Sequence, residues 1–181
     1  TKAVLRSKEN TRSKKLAIYV MSKQRFLNRR KGERMEYVSE LSWSLSDGEL
    51  APGKYSTNHR MRFSGGLEAT MTAAPDYGGD ARYVNPEEAM AASLSSCHMM
   101  TFLALAAKAK WKVTGYKDRA VAVIGKNEEG RMWVSGITLH PVVEFESGHD
   151  IDHDKLEEMH ERAHRYCFVA NSLKCDMKIV V

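Results

Sequence analysis

The order of the predicted elements in this chain of 181 residues indicates an α+β fold, because strands and helices occur in separate runs. Three predicted strands precede a long helix. Two or three strands follow that helix, and a second helix and a last strand complete the pattern. The composition, with 43% hydrophobic and 28% charged residues, is that of a globular domain. We find no internal repeat and no β-α-β repetition.

The positive charge of the chain is concentrated in its first part. Residues 1–34 contain twelve Lys or Arg and only two acidic residues, whereas residues 35–181 contain sixteen basic and twenty-one acidic residues. We therefore predict a basic N-terminal extension over residues 1–34 and one mildly acidic domain over residues 35–181. The extension is expected to be solvated, with a targeting segment or a subunit-wrapping arm as alternatives. No nucleic-acid partner is predicted from it.

The first part of the domain is predicted to form a small sheet. Residues 36–43 are expected to be its first strand, and an Asp-Gly turn signal follows at residues 47–48. Residues 55–63 and 67–73 are expected to form a hairpin around the Ser-Gly-Gly sequence at residues 64–66.

A long central helix is predicted to begin after Asn85. Asn is a common helix cap, Pro86 suits the first helical position, and the acids Glu87 and Glu88 favour the positive end of the helix dipole. The helix is expected to end near Lys108. Residues 89–107 lack charged side chains, which approaches a membrane-spanning length, but their serines, histidine and threonine favour a buried helix and no membrane partner.

The rest of the domain is predicted to contain further strands and one amphipathic helix. The strands span residues 116–124, 132–139 and 175–181, and residues 142–145 continue the second of these past Pro141. Apolar residues at helical spacing predict the second helix over residues 152–167.

Three cysteines are too few for a secreted disulfide scaffold, so a reducing, cytoplasmic setting is expected. Cys97 lies on the central helix, where a cysteine is either a small core residue or a reactive thiol. Cys167 lies near the end of the second helix. Spacing alone does not place these two cysteines together, since a disulfide requires Cα atoms within about 7 Å. Cys175 is expected to be a bystander thiol.

The histidines offer pairs at a spacing of four residues, His149 with His153 and His160 with His164. Zinc sites require three or four ligands, and neither Cys-x-x-Cys nor His-Glu-x-x-His is present. Structural or solvated histidines are therefore predicted, with no metal and no cofactor.

Two cysteine motifs resemble those of a known family. Residues 85–103 (NPEEAMAASLSSCHMMTFL) resemble the signature helix of the OsmC/Ohr family, named for osmotically inducible protein C and organic hydroperoxide resistance protein. Residues 163–173 (AHRYCFVANSL) resemble its second cysteine motif. Residues 54–59, followed by residues 63–66, resemble the hairpin of one OsmC-like branch. The resemblance covers residues 35–181 and excludes the basic extension.

This resemblance implies an intertwined α+β homodimer in which long buried central helices are wrapped by antiparallel sheets, with active sites at the subunit interface. It also implies a two-cysteine thiol peroxidase that reduces organic hydroperoxides. Cys97 would attack the peroxide and become a sulfenic acid, and Cys167 would condense with it to a disulfide. A dithiol reductant would then restore both thiols.

The resemblance further implies that Glu87 holds an arginine that activates the attacking thiol. In the branch that this chain resembles, the arginine usually occupies the position of Thr57. Arg60, Arg62 and Arg82 are the candidate substitutes. Arg82 is preferred because it lies just before Glu87, whereas the other two have the opposite strand parity to Thr57.

Apolar residues next to Cys97 are expected to favour an apolar peroxide. Met99, Met100 and Phe102 are the predicted substrate contacts, with His59 from the hairpin motif, and plain core packing is the alternative. Two other functions remain open. One is a non-catalytic OsmC-like module that binds a small apolar ligand, which Thr57 favours, and the other is a thiol-based redox sensor.

Overall fold

Within the residues that the structure describes, 35–45 and 49–181 of a computed structural model, the elements follow the order predicted for an α+β fold. The strands are β1 (Ser39–Ser42), β2 (His59–Phe63), β3 (Glu68–Met71), β4 (Val113–Asp118), β5 (Val121–Lys126), β6 (Met132–Leu139), β7 (Pro141–Phe145) and β8 (Asp176–Ile179). The helices are α1 (Pro86–Lys108) and α2 (His153–Tyr166). The predicted basic extension and the Asp-Gly turn at residues 47–48 lie outside the described residues, so the proposed domain boundary stays a prediction.

The described strands form three small sheets, ordered β1-β2-β3, β4-β7 and β5-β6-β8. All pairings are antiparallel except that of β6 with β8, which is parallel. The predicted α+β class is confirmed, and its sheets are antiparallel apart from this one edge. A parallel pair requires a crossover connection, and α2 lies within the chain segment that joins β6 to β8.

The hairpin of β2 and β3 forms where the Ser-Gly-Gly sequence predicts it. The N–H of Gly66 donates to the carbonyl of Phe63, and Gly66 has a φ of 84°, which glycine adopts without strain. β1 pairs along the other edge of β2, with Leu41 opposite Met61. All four residues of β1 are exposed, and β2 and β3 contain no buried residue.

Helix α1 begins as the sequence predicts. The Asn85 side chain accepts the N–H of Glu88 at 2.8 Å, and the Glu88 carboxylate accepts the N–H of Asn85 at 3.2 Å, which completes a capping box. One face of the helix is buried, at spacings of three or four residues: Ala91, Leu94, His98, Phe102 and Ala106. The remaining faces are half-buried or exposed. The sequence had suggested a helix buried on nearly all sides, but within one chain only one face of α1 is buried.

By length and apolar composition alone, α1 meets the criterion for a helix that could cross a membrane. Core helices of soluble proteins meet the same criterion, so this is weak evidence for a span. In the fold, α1 contacts α2 and the strands β4, β5 and β6.

The structure divides the predicted strand over residues 116–124 into two. β4 ends at Asp118, and β5 begins at Val121 in a different sheet. Pro141 likewise begins a new strand rather than continuing β6, and it pairs with Asp118 of β4. Proline has no N–H to give to a ladder, so the chain changes sheets at this residue.

The core consists of two clusters along α1. Ala91 and Leu94, near the start of α1, pack with Ile137, Leu139, Cys167 and other residues at the end of α2 and on β6. Phe102 and Ala106, near the end of α1, pack with Met159 and Ala163 of α2. The two helices therefore pack in opposite directions, which determines which residues of each helix meet.

Gly79 is expected to be irreplaceable, because a β-carbon at this position would overlap the carbonyl oxygen of Ala73. We predict that Gly79→Ala lowers the free energy of unfolding by about 2 kcal/mol or more, as overpacking against backbone does. Gly65→Ala is the matched control, since nothing lies within 4 Å of its added β-carbon. Urea unfolding measures both variants, and equal stabilities would contradict the assigned contact.

Candidate active site

The site is built where α1 crosses α2. His98 of α1 and His160 of α2 are 0% and 1% exposed, and their Nε2 and Nδ1 atoms lie 3.0 Å apart. The two ring planes are nearly parallel, at 8°, and the ring centroids are 5.3 Å apart, so the rings meet edge to edge through this contact. Phe102 stacks on His160, with ring centroids 4.3 Å apart. This polar contact, enclosed by apolar residues, fixes the register of the two helices.

The same crossing brings Cys97 and Cys167 together. Cys97 is half-buried on α1 and packs against the cluster that contains Cys167, which is 0% exposed. Burial raises the pKa of Cys167 to about 11, and the neighbouring Cys97 thiol adds to this rise. Both thiols are free. Their proximity, which the spacing in the sequence had left open, is thus a property of the folded chain.

Cys167 is held at the C-terminal end of α2, where the helix stops. Its N–H donates to the carbonyl of His164, and its backbone adopts an extended conformation. The N–H of Ala170 donates to the Cys167 sulfur at 3.4 Å. This bond fixes the direction of the thiol. Cys175 is also buried in the same cluster, as a thiol with no assigned role.

Glu87 lies in the first turn of α1, about 15 Å along the helix axis from Cys97, because each of the ten intervening steps rises about 1.5 Å. Its Oε2 atom is buried and has no hydrogen-bond partner among the described residues. A buried carboxylate oxygen without a donor is unfavourable, so Glu87 lacks, in the described chain, the kind of partner that the predicted arginine would supply.

Each arginine considered as that donor pairs with another carboxylate. Arg82 holds Asp80 through its Nε and Nη2 atoms, lowers the pKa of Asp80 to about 2 through these hydrogen bonds, and has a side chain that is 80% exposed. Arg60 and Arg62 both lie within 4 Å of Glu68 on the neighbouring strand, at 3.7 and 3.9 Å. In the described chain, Arg82 therefore has Asp80, and not Glu87, as its carboxylate partner.

Thr57, at the position where the resemblance implies an activating arginine, connects parts of the backbone through its hydroxyl group. Its hydroxyl lies 3.1 Å from the hydroxyl of the buried Thr72 and accepts the N–H of Ala73 at 3.3 Å. Thr72 in turn accepts the N–H of Asp80 at 3.2 Å. The two threonines thus connect the segment just before β2 to the loop that contains Gly79.

The predicted substrate contacts are separated in the fold. Phe102 is 0% exposed and stacked on His160, so its substrate role is corrected to core packing. Met100 is exposed, and Met99 lines a groove beside α1. His59 lies on β2, where its Nδ1 is 2.9 Å from the carbonyl oxygen of Thr57. Phe102, Met100 and Met99 had been grouped as substrate contacts only because they lie close to Cys97 in the sequence.

Sequence reasoning missed the carboxylate that anchors α1 to the sheets. Asp118 accepts the hydroxyl of Ser95 at 2.5 Å and the backbone N–H of His140 at 2.7 Å. One side chain thereby joins α1, the end of β4 and the turn before β7. The available signal was weak: Asp118 is the single acid of the predicted strand over residues 116–124, and Lys117 and Arg119 flank it.

No group of three or more His, Cys, Asp or Glu side chains is placed to hold a metal ion in residues 35–45 and 49–181. His160 and His98 each direct their second ring nitrogen into the core without a partner. The part of the chain that the structure describes also brings together two free thiols, one half-buried and one buried.

A protein-family model described as "OsmC-like protein" matches residues 78–181. Among solved structures, an OsmC-like protein of unknown function from Vibrio cholerae is 36% identical, covers 81% of this chain and 99% of its own, and has a TM-score of 0.77. Organic hydroperoxide resistance proteins from Elizabethkingia anophelis and Bacillus subtilis have the same fold. Their identities are 19% and 17%, and their TM-scores are 0.64 and 0.60. They cover 82% and 80% of this chain, and 98% and 96% of their own. No curated protein matches.

The His98–His160 pair predicts a loss of stability in mild acid. Burial lowers the pKa of each ring to about 4, from about 6.5 in an unfolded chain. The unfolded state therefore binds more protons between these values, so stability is complete above pH 6.5 and falls as the pH drops towards 4. At pH 5 the expected loss is roughly 2 kcal/mol per histidine.

Urea unfolding at pH 7.5 and pH 5 measures this loss. A His98→Gln/His160→Gln variant is expected to have a flatter pH dependence than the unchanged protein, whereas His153→Gln, on the exposed surface of α2, is expected to leave it unchanged. An equally steep dependence in the double variant would refute the assignment.

Proposed function

Because the chain belongs to the OsmC-like family, we propose that it is a thiol-dependent peroxidase that reduces organic hydroperoxides through Cys97 and Cys167. The observation that carries the proposal is the contact of the two free thiols at the crossing of α1 and α2. Two structural relatives named as organic hydroperoxide resistance proteins support the substrate class.

The environments of the two thiols suit different steps. Cys97 is half-buried and is the more accessible thiol, so it is the proposed attacking group. Cys167 is fully buried and has a raised pKa, so it keeps its proton and is a poor nucleophile towards the peroxide. It is the proposed resolving thiol.

The proposed reaction balances without a cofactor. The Cys97 thiolate attacks the terminal oxygen of the hydroperoxide, the O–O bond breaks, and the alkoxide leaves and takes a proton. Cys97 becomes a sulfenic acid. The Cys167 thiol then condenses with it, which forms the disulfide and releases water. An external dithiol reduces the disulfide by thiol–disulfide exchange.

The group that stabilises the attacking thiolate stays a proposal. Glu87 would orient an arginine, but Arg82, the candidate preferred from the sequence, pairs with Asp80. Met99 and Met100 remain the proposed apolar contacts of the substrate. The second candidate function, a non-catalytic module that binds a small apolar ligand, is favoured by the structural role of Thr57.

We propose that a second copy of the chain completes the site. The sheet of β1, β2 and β3 contains no buried residue, and a small sheet without a covered face is unstable in water. Much of the apolar helix α1 is also uncovered, including Met100, which is 58% exposed. A homodimer would cover both surfaces, and a reducing compartment such as the cytoplasm would keep the thiols free.

Peroxide consumption by the reduced protein tests the function. With excess dithiol, we expect cumene hydroperoxide to be turned over faster than hydrogen peroxide, and Cys97→Ser to lower the rate by at least about 10³-fold, since it removes the nucleophile. Without added dithiol, Cys167→Ser is expected to react once and to accumulate the sulfenic acid, which a dimedone adduct detects by mass spectrometry.

Cys175→Ser is the matched control, because this buried thiol of the same cluster has no assigned step. It is expected to retain the rate of the unchanged protein. Absence of turnover, with Cys97 and Cys167 both still reduced after peroxide treatment, would refute the peroxidase and favour the binding module.

Sedimentation equilibrium tests the homodimer. The protein is expected to have twice the mass of one chain, and Met100→Glu is expected to shift it to the monomer, because the new charge would be buried in the interface. Lys155→Glu, a charge change on the exposed side of α2, is the control and is expected to leave the dimer intact. A monomer in the unchanged protein would contradict the assembly.

A further inference from the structure

The sheet of β1, β2 and β3 has one polar and one apolar face. Residues directly opposite each other in neighbouring strands share a face, and so do residues two positions apart on one strand. The register places two rows of exposed residues on the polar face: Glu40, Arg62 and Glu68, and then Ser42, Arg60 and Thr70. The other face has Leu41, Met61 and Ala69. The proposed homodimer would cover this apolar face, which leaves the polar face open to solvent.

A cleft of about 350 Å³ lies on the polar face, and we call it the Arg60 cleft. The row of Ser42, Arg60 and Thr70 forms part of its lining, and Ser44 and Asn58 extend the polar surface. None of the described residues that line it belongs to α1 or α2. The cleft is therefore separate from both thiols and from the carboxylate in the first turn of α1.

The cleft presents one positive charge to a ligand. Arg60 is the only Lys or Arg in its described lining, which contains no Asp or Glu. The Arg60 side chain is 68% exposed, so its guanidinium group is accessible. Within the described residues, its nearest carboxylate oxygen belongs to Glu68 at 3.7 Å, which is longer than a hydrogen bond. The serine, threonine and asparagine side chains of the lining are exposed too, and all of them can donate hydrogen bonds.

Trp43 gives the cleft a flat apolar wall. Its Nε1–H donates to the carbonyl of Ser56 at 2.8 Å, and Tyr55 packs edge-on against it, with ring centroids 6.2 Å apart. These contacts hold the indole in place while 39% of the residue stays exposed. A flat ring on the ligand would therefore bury apolar surface against it. His59 also lines the cleft, and its Nδ1 donates to the carbonyl oxygen of Thr57.

This set of donors suits a phosphate group better than a carboxylate. The guanidinium fork of an arginine pairs with either group through two parallel hydrogen bonds. A carboxylate has two oxygens, and the fork would use both. A phosphate monoester has three terminal oxygens, so it accepts from the fork and also from the hydroxyl groups beside it.

We propose that the Arg60 cleft binds a small organic phosphate, a phosphate monoester on a body with a flat ring. Arg60 pairs with the phosphate oxygens, the hydroxyl groups of Ser42 and Thr70 donate to the same group, and the ring stacks on Trp43. No step at either thiol is needed, so the site does not rest on the proposed peroxidase activity.

Isothermal titration of the protein with phenyl phosphate, in a buffer that contains no phosphate, tests the site. Phenol and benzoate have the same ring with a neutral group and with a carboxylate. We expect phenyl phosphate to bind once per chain with a Kd on the order of 1 mM or lower. Phenol is expected to bind at least about tenfold more weakly, and benzoate more weakly than phenyl phosphate. Added salt is expected to weaken the binding of phenyl phosphate, because it screens an exposed charge.

Two arginines of β2 provide a matched pair of variants. Arg60→Gln is expected to weaken the binding of phenyl phosphate at least about tenfold. Arg62→Gln is the control, because Arg62 lies on the same strand and face and also near Glu68, at 3.9 Å, but does not line the cleft. It is expected to change the affinity less than about twofold, since an exposed charge outside the cleft is screened.

Glu68→Gln is expected to tighten the binding of phenyl phosphate about two- to fivefold, because it removes the carboxylate that competes for Arg60. A variant that had lost its fold would bind less, so a gain cannot come from misfolding. Cys97→Ser is expected to leave the affinity unchanged. The indole N–H signal of Trp43, assigned by its loss in Trp43→Phe, is expected to shift during an NMR titration of the unchanged protein.

Any of four results would overturn the proposal. These are equal affinities for phenyl phosphate and phenol, benzoate binding as tight as that of phenyl phosphate, equal effects of the Arg60 and Arg62 variants, and no heat or Trp43 shift at about 10 mM phenyl phosphate. Peroxide consumption is measured separately on the same preparation. Turnover without binding would refute only this site, and binding without turnover would refute only the peroxidase.

Discussion

The buried contact between His98 and His160 is the constraint on which the arrangement of the thiols depends. Two imidazoles at 3.0 Å with almost no exposed surface leave the helices little freedom to slide, because any slip would leave both rings without their shared hydrogen bond. With this register fixed, the residue before His98 on α1 meets the residue seven positions after His160. These residues are Cys97 and Cys167. A polar pair in an apolar core thus lowers the stability of the fold in acid, and it specifies one alignment of α1 against α2.

The parts of the fold that the sequence predicted are those with a local cause. The capping box at Asn85 and the Ser-Gly-Gly turn depend on residues within three or four positions, and the structure contains both. The pairing of strands depends on distant partners. Asp118 is linked to Ser95 and His140, which lie more than twenty residues away, and local pattern carries no information about that link. The break between β4 and β5 was missed for this reason.

As with the fold, only part of the candidate site could be predicted from the sequence. The pairing of the two thiols could be expected only from motif resemblance, since seventy residues of sequence cannot place two cysteines in contact. The neighbours of Cys97 in sequence, such as Phe102, were poor guides to its neighbours in space. Successive helical residues point in directions about 100° apart, so Phe102 enters the core while Met100 stays exposed. The contacts of Thr57 and Arg82 could not be predicted from the sequence either. Thr57 is hydrogen-bonded with Thr72, and Arg82 donates to Asp80.

The contrast between the two thiols also bears on the order of their reactions. A resolving cysteine that ionised readily would compete with the attacking cysteine for peroxide and would itself be oxidised. Burial of Cys167 and its raised pKa suppress that side reaction. In the proposed second step, the Cys167 thiol would give its proton to the hydroxyl group of the Cys97 sulfenic acid, which leaves as water when the S–S bond forms. The Ala170 N–H on the Cys167 sulfur holds the group in place for this step. Low polarity thus protects Cys167 from solvent oxidants, and it is the position of Cys167 beside Cys97, rather than its reactivity, that would favour the proposed condensation.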